Sequence, residues 1–200
     1  MGNTFEITVV DSDEHIAFRH IDAAIAEIQR IEQLLTTFNE NSQTNLINRN
    51  AGLEGVKVDA EVFDLIQRSL RISEITEGYF DISYGGIDKR LWNFDREMPS
   101  LPDKKIIREN YKNIILNPHG QTVFLKEKGM RIGFGGIGKG YAAEMGKRLL
   151  RQRGVKSGVV NASGDLTAWG NQADGRPWTI GIADPDNSVL PFSYLNITDT

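Results

Sequence analysis

The stretch Gly133-Phe134-Gly135-Gly136-Ile137-Gly138-Lys139-Gly140 places five glycines and one lysine directly before a predicted helix. Apolar residues recur at helical spacing after it and predict a helix from about Gly138 to Arg153. Glycine lets a backbone turn through positive φ and approach a ligand closely. A helix N-terminus presents unpaired N–H groups and a partial positive charge. Together these features predict an anion site, and a phosphate or diphosphate is the anion expected there.

Two phosphate-binding patterns overlap this stretch, and neither is complete. Residues 133–138 satisfy the G-x-G-x-x-G pattern of Rossmann domains, but Asn161 stands at the end of the next strand, where an acidic residue should hold the ribose. Residues 133–139 fit the G-x-x-x-x-G-K pattern of P-loops, but Gly140 replaces the magnesium-binding Ser or Thr. A third interpretation is a glycine-rich turn that only packs a strand against a helix. A nicotinamide-dependent oxidoreductase therefore stays a disfavoured alternative.

Periodicity in the rest of the chain predicts an α+β fold. Apolar residues recur at helical spacing over 16–38 and again in a second long helix, which Asp59 is predicted to cap and Gly78 to end. Ser42 is a predicted N-cap of a short helix between them. Strands are predicted at 4–9, 56–58, 113–116, 122–125, 130–132, 157–160, 166–169, 178–182 and 192–197, and a further short helix at 103–110. We expect two long N-terminal helices packed on a mixed or antiparallel sheet, with a strand-rich second half.

Composition narrows the possible functions. The 200 residues carry a net charge of −4 and no basic stripe, which argues against nucleic-acid binding. The sequence contains no cysteine, which excludes disulfides, thiolate metal sites and cysteine nucleophiles. No apolar run reaches the roughly 18 residues that a membrane-spanning helix needs. The three histidines are scattered, and no His-rich metal pattern or Ser/His/Asp arrangement is found.

Two further segments combine turn residues with aromatic or polar side chains. Gly78-Tyr79-Phe80-Asp81 ends the second long helix and delivers aromatic rings and a carboxylate into a loop. Residues 159–165 carry a strand into a Ser-Gly-Asp turn, which places Asn161 and Asp165 at a strand end. Aromatic pairs more often belong to a core, and hydrogen bonds within a turn account for the second segment equally well. Each segment alone leaves its role open.

Taken in order, these segments resemble the ApbE family of flavin transferases, the FAD:protein FMN transferases once described as thiamine biosynthesis lipoproteins. Gly135-Gly136-Ile137-Gly138-Lys139-Gly140-Tyr141-Ala142 is similar to the family's Gly-Gly-Ile-Ala-Lys-Gly-Tyr-Ala, and Gly78-Tyr79-Phe80-Asp81 is similar to Gly-Ala-Phe-Asp. Further correspondences lie at residues 1–5, 35–48, 91–92, 160–165 and 176–185. Several matches in one order are far more specific than any single glycine pattern.

The resemblance implies a single ApbE-like flavin-transferase domain over residues 1–200 that binds FAD and Mg²⁺. It implies an enzyme: a threonine of an acceptor protein attacks the FMN phosphorus, AMP leaves, and the flavin remains attached through a phosphoester. The backbone carbonyl of Gly138, where the family often has Ala, would be one metal ligand. Carried over position by position, the FAD contacts would be Met1, Phe38, Tyr79, Phe80, Asp81, Gly135, Lys139 and Tyr141.

Three departures from the family pattern shape the expectations. Phe38 stands where Tyr is usual, Asn3 replaces Thr, and the family's C-terminal Thr-Ser-Gly, His-x-x-Asp-Pro and Asp/Thr metal pair do not occur in the 200 residues. We therefore expect a chain that lacks its C-terminal part, with no catalytic residue of its own, and an FAD-binding module without turnover is the alternative function. The resemblance also implies a protein acceptor and the periplasm or cell envelope of a bacterium, with a lipoprotein anchor removed before Met1.

Overall fold

The described part of the chain contains four α-helices and eight strands, in the mixed order of an α+β fold. The computed structural model describes residues 4–86, 111–186 and 191–199. The helices are α1 (Glu14–Leu35), α2 (Gln43–Arg49), α3 (Ala60–Ile75) and α4 (Gly138–Gln152). The strands are β1 (Phe5–Val9), β2 (Val56–Lys57), β3 (Ile114–Asn117), β4 (Thr122–Leu125), β5 (Gly158–Ala162), β6 (Asp165–Trp169), β7 (Trp178–Ala183) and β8 (Pro191–Ile197). None of the described helices is long and apolar enough to cross a bilayer.

The chain divides into two compact units. The first comprises Met1–Glu32 and Gly138–Thr200, and the second comprises Gln33–Ile137. All of the strand pairs in the described residues are antiparallel. This confirms the predicted α+β class. It also separates the chain from a Rossmann domain, whose sheet is mostly parallel.

The first unit is built around an antiparallel sheet in the order β1-β5-β6. Helix α1 buries Ala24, Ile28 and Ile31, and the two isoleucines belong to the apolar stripe that its helical period predicts. Helix α4 buries Ala142, Ala143 and Leu150. Gly146 of α4 faces Ile28 of α1, and a Cβ there would lie 3.7 Å from the Cδ1 of Ile28, which is an ordinary van der Waals distance.

Strand β5 begins at a glycine for a steric reason. A Cβ at Gly158 would lie 2.6 Å from the carbonyl oxygen of Thr8 and 2.6 Å from the ring of Trp169. The Trp169 ring is held in place because its Nε1 donates to the carbonyl of Val155 at 3.0 Å. Any side chain at this position would therefore push a backbone strand or a buried indole aside.

The loop before β7 carries an exposed ion pair. The guanidinium of Arg176 lies 2.6 Å from Asp174. This hydrogen-bonded pair lowers the pKa of Asp174 and raises the pKa of Arg176. The Arg176 and Asp174 side chains are 75% and 49% exposed, so solvent screens the pair and it contributes little to stability.

The second unit packs α2 and α3 with a sheet in the order β2-β4-β3. Ser42 is the N-cap of α2, as predicted, because its Oγ accepts the N–H of Asn45 at 3.1 Å. Asp59 precedes α3 but its carboxylate does not bond the helix; it accepts from the side chain of Gln43, whose oxygen in turn accepts the Asp59 N–H at 2.8 Å. The inner face of α3 is buried along Val62, Phe63, Leu65, Ile66, Ser69 and Ser73.

Two boundaries differ from the sequence-based expectation. Residues 130–132 do not form the predicted strand, because the backbone N–H and C=O of Ile132 bind the side chain of Asn48 instead of a neighbouring strand. Helix α3 ends at Ile75, three residues before the predicted end at Gly78. The N–H of Gly78, whose φ is +86°, donates to the carbonyl of Ser73 at 2.8 Å. The predicted helix at 103–110 lies outside the described residues.

Candidate functional site

The glycine-rich stretch opens a helix, as the sequence predicts. Residues 135–137 form a turn, and α4 begins at Gly138, which is buried. The turn is closed by the N–H of Ile137, which donates to the carbonyl of Phe134 at 3.1 Å. The N-terminal turn of α4 contains Gly138, Lys139 and Gly140, so the only side chain it carries is the lysine. This is the geometry expected where backbone amides meet an anion.

Within the second unit, two aromatic rings lie against the glycine turn. The Oη of Tyr84 accepts the N–H of Gly135 at 3.3 Å. A Cβ at Gly135 would lie 2.6 Å from that oxygen, and a Cβ at Gly136 would lie 3.2 Å from the ring of Phe80. These glycines therefore allow close packing of rings. Phe80 is one of the predicted FAD contacts, whereas Tyr84 is not among them and is signalled in the sequence only by its place a few residues after the Tyr79-Phe80 pair.

Asp81 organises the loop that presents these rings. One carboxylate oxygen accepts the N–H of Ser83 at 2.8 Å, and the other accepts the N–H of Tyr111 at 2.9 Å. Both oxygens are thus engaged by backbone amides within the second unit. The N–H of Gly133 donates to the carbonyl of Ile82 at 2.9 Å, which ties the same loop to the glycine turn.

Two predicted contact residues present bare aromatic surface. The side chains of Phe38 and Tyr79 are 92% and 95% exposed. Large exposed rings are costly to leave in water and are typical of surfaces that bind a flat partner. Met1 lies outside the described residues, so its predicted role stays a prediction.

Within the first unit, Lys139 is fixed by an ion pair. Its Nζ lies 3.0 Å from the Oδ2 of Asp165, and its side chain is 24% exposed. Tyr141, two residues further along α4, is half-buried. The predicted contacts Lys139 and Tyr141 therefore share the beginning of one helix, while Phe38, Tyr79, Phe80, Asp81 and Gly135 all belong to the second unit.

The comparison with known families decides where this chain belongs. The family model of the ApbE family matches residues 1–200. This chain belongs to the ApbE family. It is 32% identical over 190 residues to an FAD:protein FMN transferase of Klebsiella pneumoniae, a match that covers 92% of this chain and 57% of the relative. A protein of the same name from Treponema pallidum is 28% identical over 204 residues, covering 90% of this chain and 56% of the relative.

Solved ApbE structures share the fold. The ApbE protein of Thermotoga maritima is 27% identical and superposes with a TM-score of 0.85, covering 99% of this chain and 65% of that one. The flavin transferase ApbE of Vibrio cholerae, at 20% identity, matches with a TM-score of 0.81 over 100% of this chain and 66% of its own. The chain spans about half to two thirds of the length of these ApbE relatives.

The described residues do not make a metal site from side chains. No group of three or more His, Asp or Glu residues lies close enough to hold an ion within 4–86, 111–186 and 191–199. Gly138, the metal ligand predicted from the ApbE resemblance, could offer only its backbone carbonyl. A single carbonyl falls short of the six oxygen ligands that Mg²⁺ prefers.

Proposed function

We propose that this protein transfers the FMN part of FAD to a threonine side chain of an acceptor protein and releases AMP. One observation carries the proposal: a chain that matches the ApbE family throughout has Lys139 in the first turn of α4, directly after a glycine turn. Curated relatives carry the name FAD:protein FMN transferase, which is a statement about them that we extend to this chain.

The proposed reaction breaks the phosphoanhydride bond of FAD and forms a phosphoester bond to the acceptor. The threonine Oγ forms a bond to the FMN phosphorus, the bond from that phosphorus to the bridging oxygen breaks, and AMP leaves with the bridging oxygen. The hydroxyl proton passes to water, and no electron is transferred. Negative charge grows on the phosphoryl oxygens and on AMP, and N–H groups at the start of α4 together with the Lys139 ammonium would stabilise it.

The aromatic surface of the second unit suits the ring systems of FAD. We propose that Phe38 and Tyr79 stack on flavin or adenine, because both rings are almost fully exposed and stacking would remove them from water. Asp81 would act through the loop it organises, since its oxygens already accept two backbone N–H groups. Gly135 would set how closely the ligand can approach the turn.

We also propose that the reaction depends on Mg²⁺ and that the protein is located in the cell envelope of a bacterium. When bound, Mg²⁺ would neutralise charge on the diphosphate. The Gly138 carbonyl alone does not fit a full coordination shell, so FAD oxygens and water would have to supply other ligands. The steps above depend on this chain's own residues and are not routed through the ion.

One incubation separates the proposed activity from its alternatives. The protein is mixed with FAD, Mg²⁺ and a threonine-containing acceptor protein, and the products are analysed by mass spectrometry. An acceptor mass increased by one FMN, with AMP released, supports the transferase. FAD retained without AMP identifies a binding module without turnover, and NADH binding without flavin binding identifies an oxidoreductase.

A matched pair of lysine variants tests the site itself. Lys139→Ala should weaken FAD binding by roughly tenfold, the usual size of a charge-assisted contact. Lys156→Ala, which removes an exposed lysine elsewhere in the same unit, should leave the affinity unchanged. Equal affinities for the two variants would place Lys139 outside the FAD site.

A further inference from the structure

The Lys139–Asp165 ion pair joins the first turn of α4 to the first residue of β6. The Nζ of Lys139 lies 3.0 Å from the Oδ2 of Asp165, while the Asp165 side chain is still 50% exposed. The proposed function uses the lysine and gives no task to the carboxylate. A carboxylate beside the Lys139 ammonium in the first turn of α4 therefore needs its own explanation.

The position of Asp165 is determined by a tight hairpin. Ser163 and Gly164 connect β5 to β6 with φ values of +51° and +99°, the positive pair that two-residue hairpins require. The Gly164 N–H donates to Asn161 at 2.9 Å, and the Ser163 hydroxyl donates to the carbonyl of Thr4 at 3.0 Å. These contacts hold the turn on both sides, so the carboxylate that follows it has little freedom to move.

The carboxylate lies beside the first turn of α4. A Cβ placed on Gly140 would be 3.8 Å from the Oδ1 of Asp165. Negative charge near a helix N-terminus is favourable. An ion pair exposed to this degree nevertheless contributes little to folding, because solvent screens it. Stability does not account for the arrangement, whereas holding a flexible lysine in one place does.

We propose that Asp165 is a positioning residue: it holds the Lys139 side chain over the first turn of α4, so that the ammonium is already oriented when the FAD diphosphate arrives. This inference rests on the proposed function. A free lysine loses much of its rotamer freedom on binding, and an anchored lysine has lost it beforehand. The carboxylate therefore lowers the entropic cost of binding even though its charge repels the ligand.

The sign of one substitution decides between positioning and charge. Asp165→Asn should weaken FAD binding by roughly 3- to 10-fold if positioning dominates. It should tighten binding if Asp165 acts only as a negative charge near a diphosphate. In a Lys139→Met background the same substitution should have no weakening effect. The control Asp174→Asn breaks an exposed pair elsewhere in the unit and should leave affinity unchanged.

A second readout needs no FAD. Acylation of Lys139 by a small amine reagent, followed by peptide mass spectrometry, should be roughly threefold or more faster in Asp165→Asn, because the amine is released from its partner. Lys156 in the same samples is the internal control. Tighter or unchanged FAD binding, equal weakening in the Lys139→Met background, or unchanged acylation would each overturn the inference. Wild-type protein that binds no FAD would refute the proposed function instead, and faster acylation would then still support the hold of Asp165 on Lys139.

Discussion

Replacing Asn48 by alanine removes two hydrogen bonds that hold the backbone of Ile132 in the second unit. The Asn48 Oδ1 accepts the Ile132 N–H at 2.7 Å, and the Asn48 Nδ2 donates to the Ile132 carbonyl at 3.1 Å. Asn48 is 8% exposed and Ile132 is 1% exposed. The substitution therefore leaves a buried donor and a buried acceptor without a protein partner.

The energetic cost follows from those two groups. An unsatisfied buried backbone group costs about 1–3 kcal/mol. Water can enter the space vacated by the amide and recover part of this, so we expect Asn48→Ala to lower the free energy of unfolding by about 2–4 kcal/mol. With an m-value of about 2 kcal/mol per molar, the urea midpoint should fall by about 1–2 M.

Urea unfolding followed by far-ultraviolet circular dichroism measures the effect. Asn50→Ala is the matched control, because Asn50 is the half-buried C-cap of α2 and its Nδ2 donates to the carbonyl of Leu46 at 2.9 Å in a solvent-exposed hydrogen bond. Its free energy of unfolding should change by no more than about 0.5 kcal/mol. If Asn48→Ala is no more destabilised than Asn50→Ala, the reasoning about buried backbone groups at Ile132 is wrong.

Further outcomes can be measured on the same protein. Phe38→Ala and Tyr79→Ala should change the free energy of unfolding by no more than about 0.5 kcal/mol. Each should weaken FAD binding roughly 3- to 10-fold in a flavin-fluorescence titration. Lower stability with unchanged affinity would contradict this. Gly158→Ala should destabilise by about 2–3 kcal/mol in urea unfolding, and Gly164→Ala, where a Cβ meets open space but φ stays positive, by about 1 kcal/mol. A lowered pKa stabilises above the ordinary pKa of a carboxyl, so Asp174→Asn should have a slightly lower urea midpoint than wild type above about pH 5, and the difference should shrink as the pH falls below about 4.

Local patterns predicted the helices well because the apolar periodicity of a helix is contained in its own residues. The apolar stripe of α1 anticipated the burial of Ile28, Ile31 and Leu35. Ser42 identified the start of α2 through a hydrogen bond to a residue only three positions away. The beginning of α4 at Gly138 followed from the same kind of local signal.

Local patterns failed wherever a backbone group found its partner far along the chain. Ile132 is a residue type that favours strands, but its backbone hydrogen bonds go to the side chain of Asn48, 84 residues away. Asp59 is a residue type that often caps helices, but its carboxylate accepts a hydrogen bond from the side-chain amide of Gln43 instead. Nothing in the neighbouring sequence distinguishes these partners from the ones that were expected.

Sequence alone determined the α+β class, the placement of the helices and the family, because periodicity and ordered motifs are properties of the chain itself. Tertiary structure decided what the candidate site is made of: Tyr84 against Gly135, and Asp165 against Lys139. Those contacts arise when hairpins and helices bring distant residues within hydrogen-bond distance. The distance between residues that are far apart in the sequence is set by tertiary packing, which no single stretch of sequence encodes.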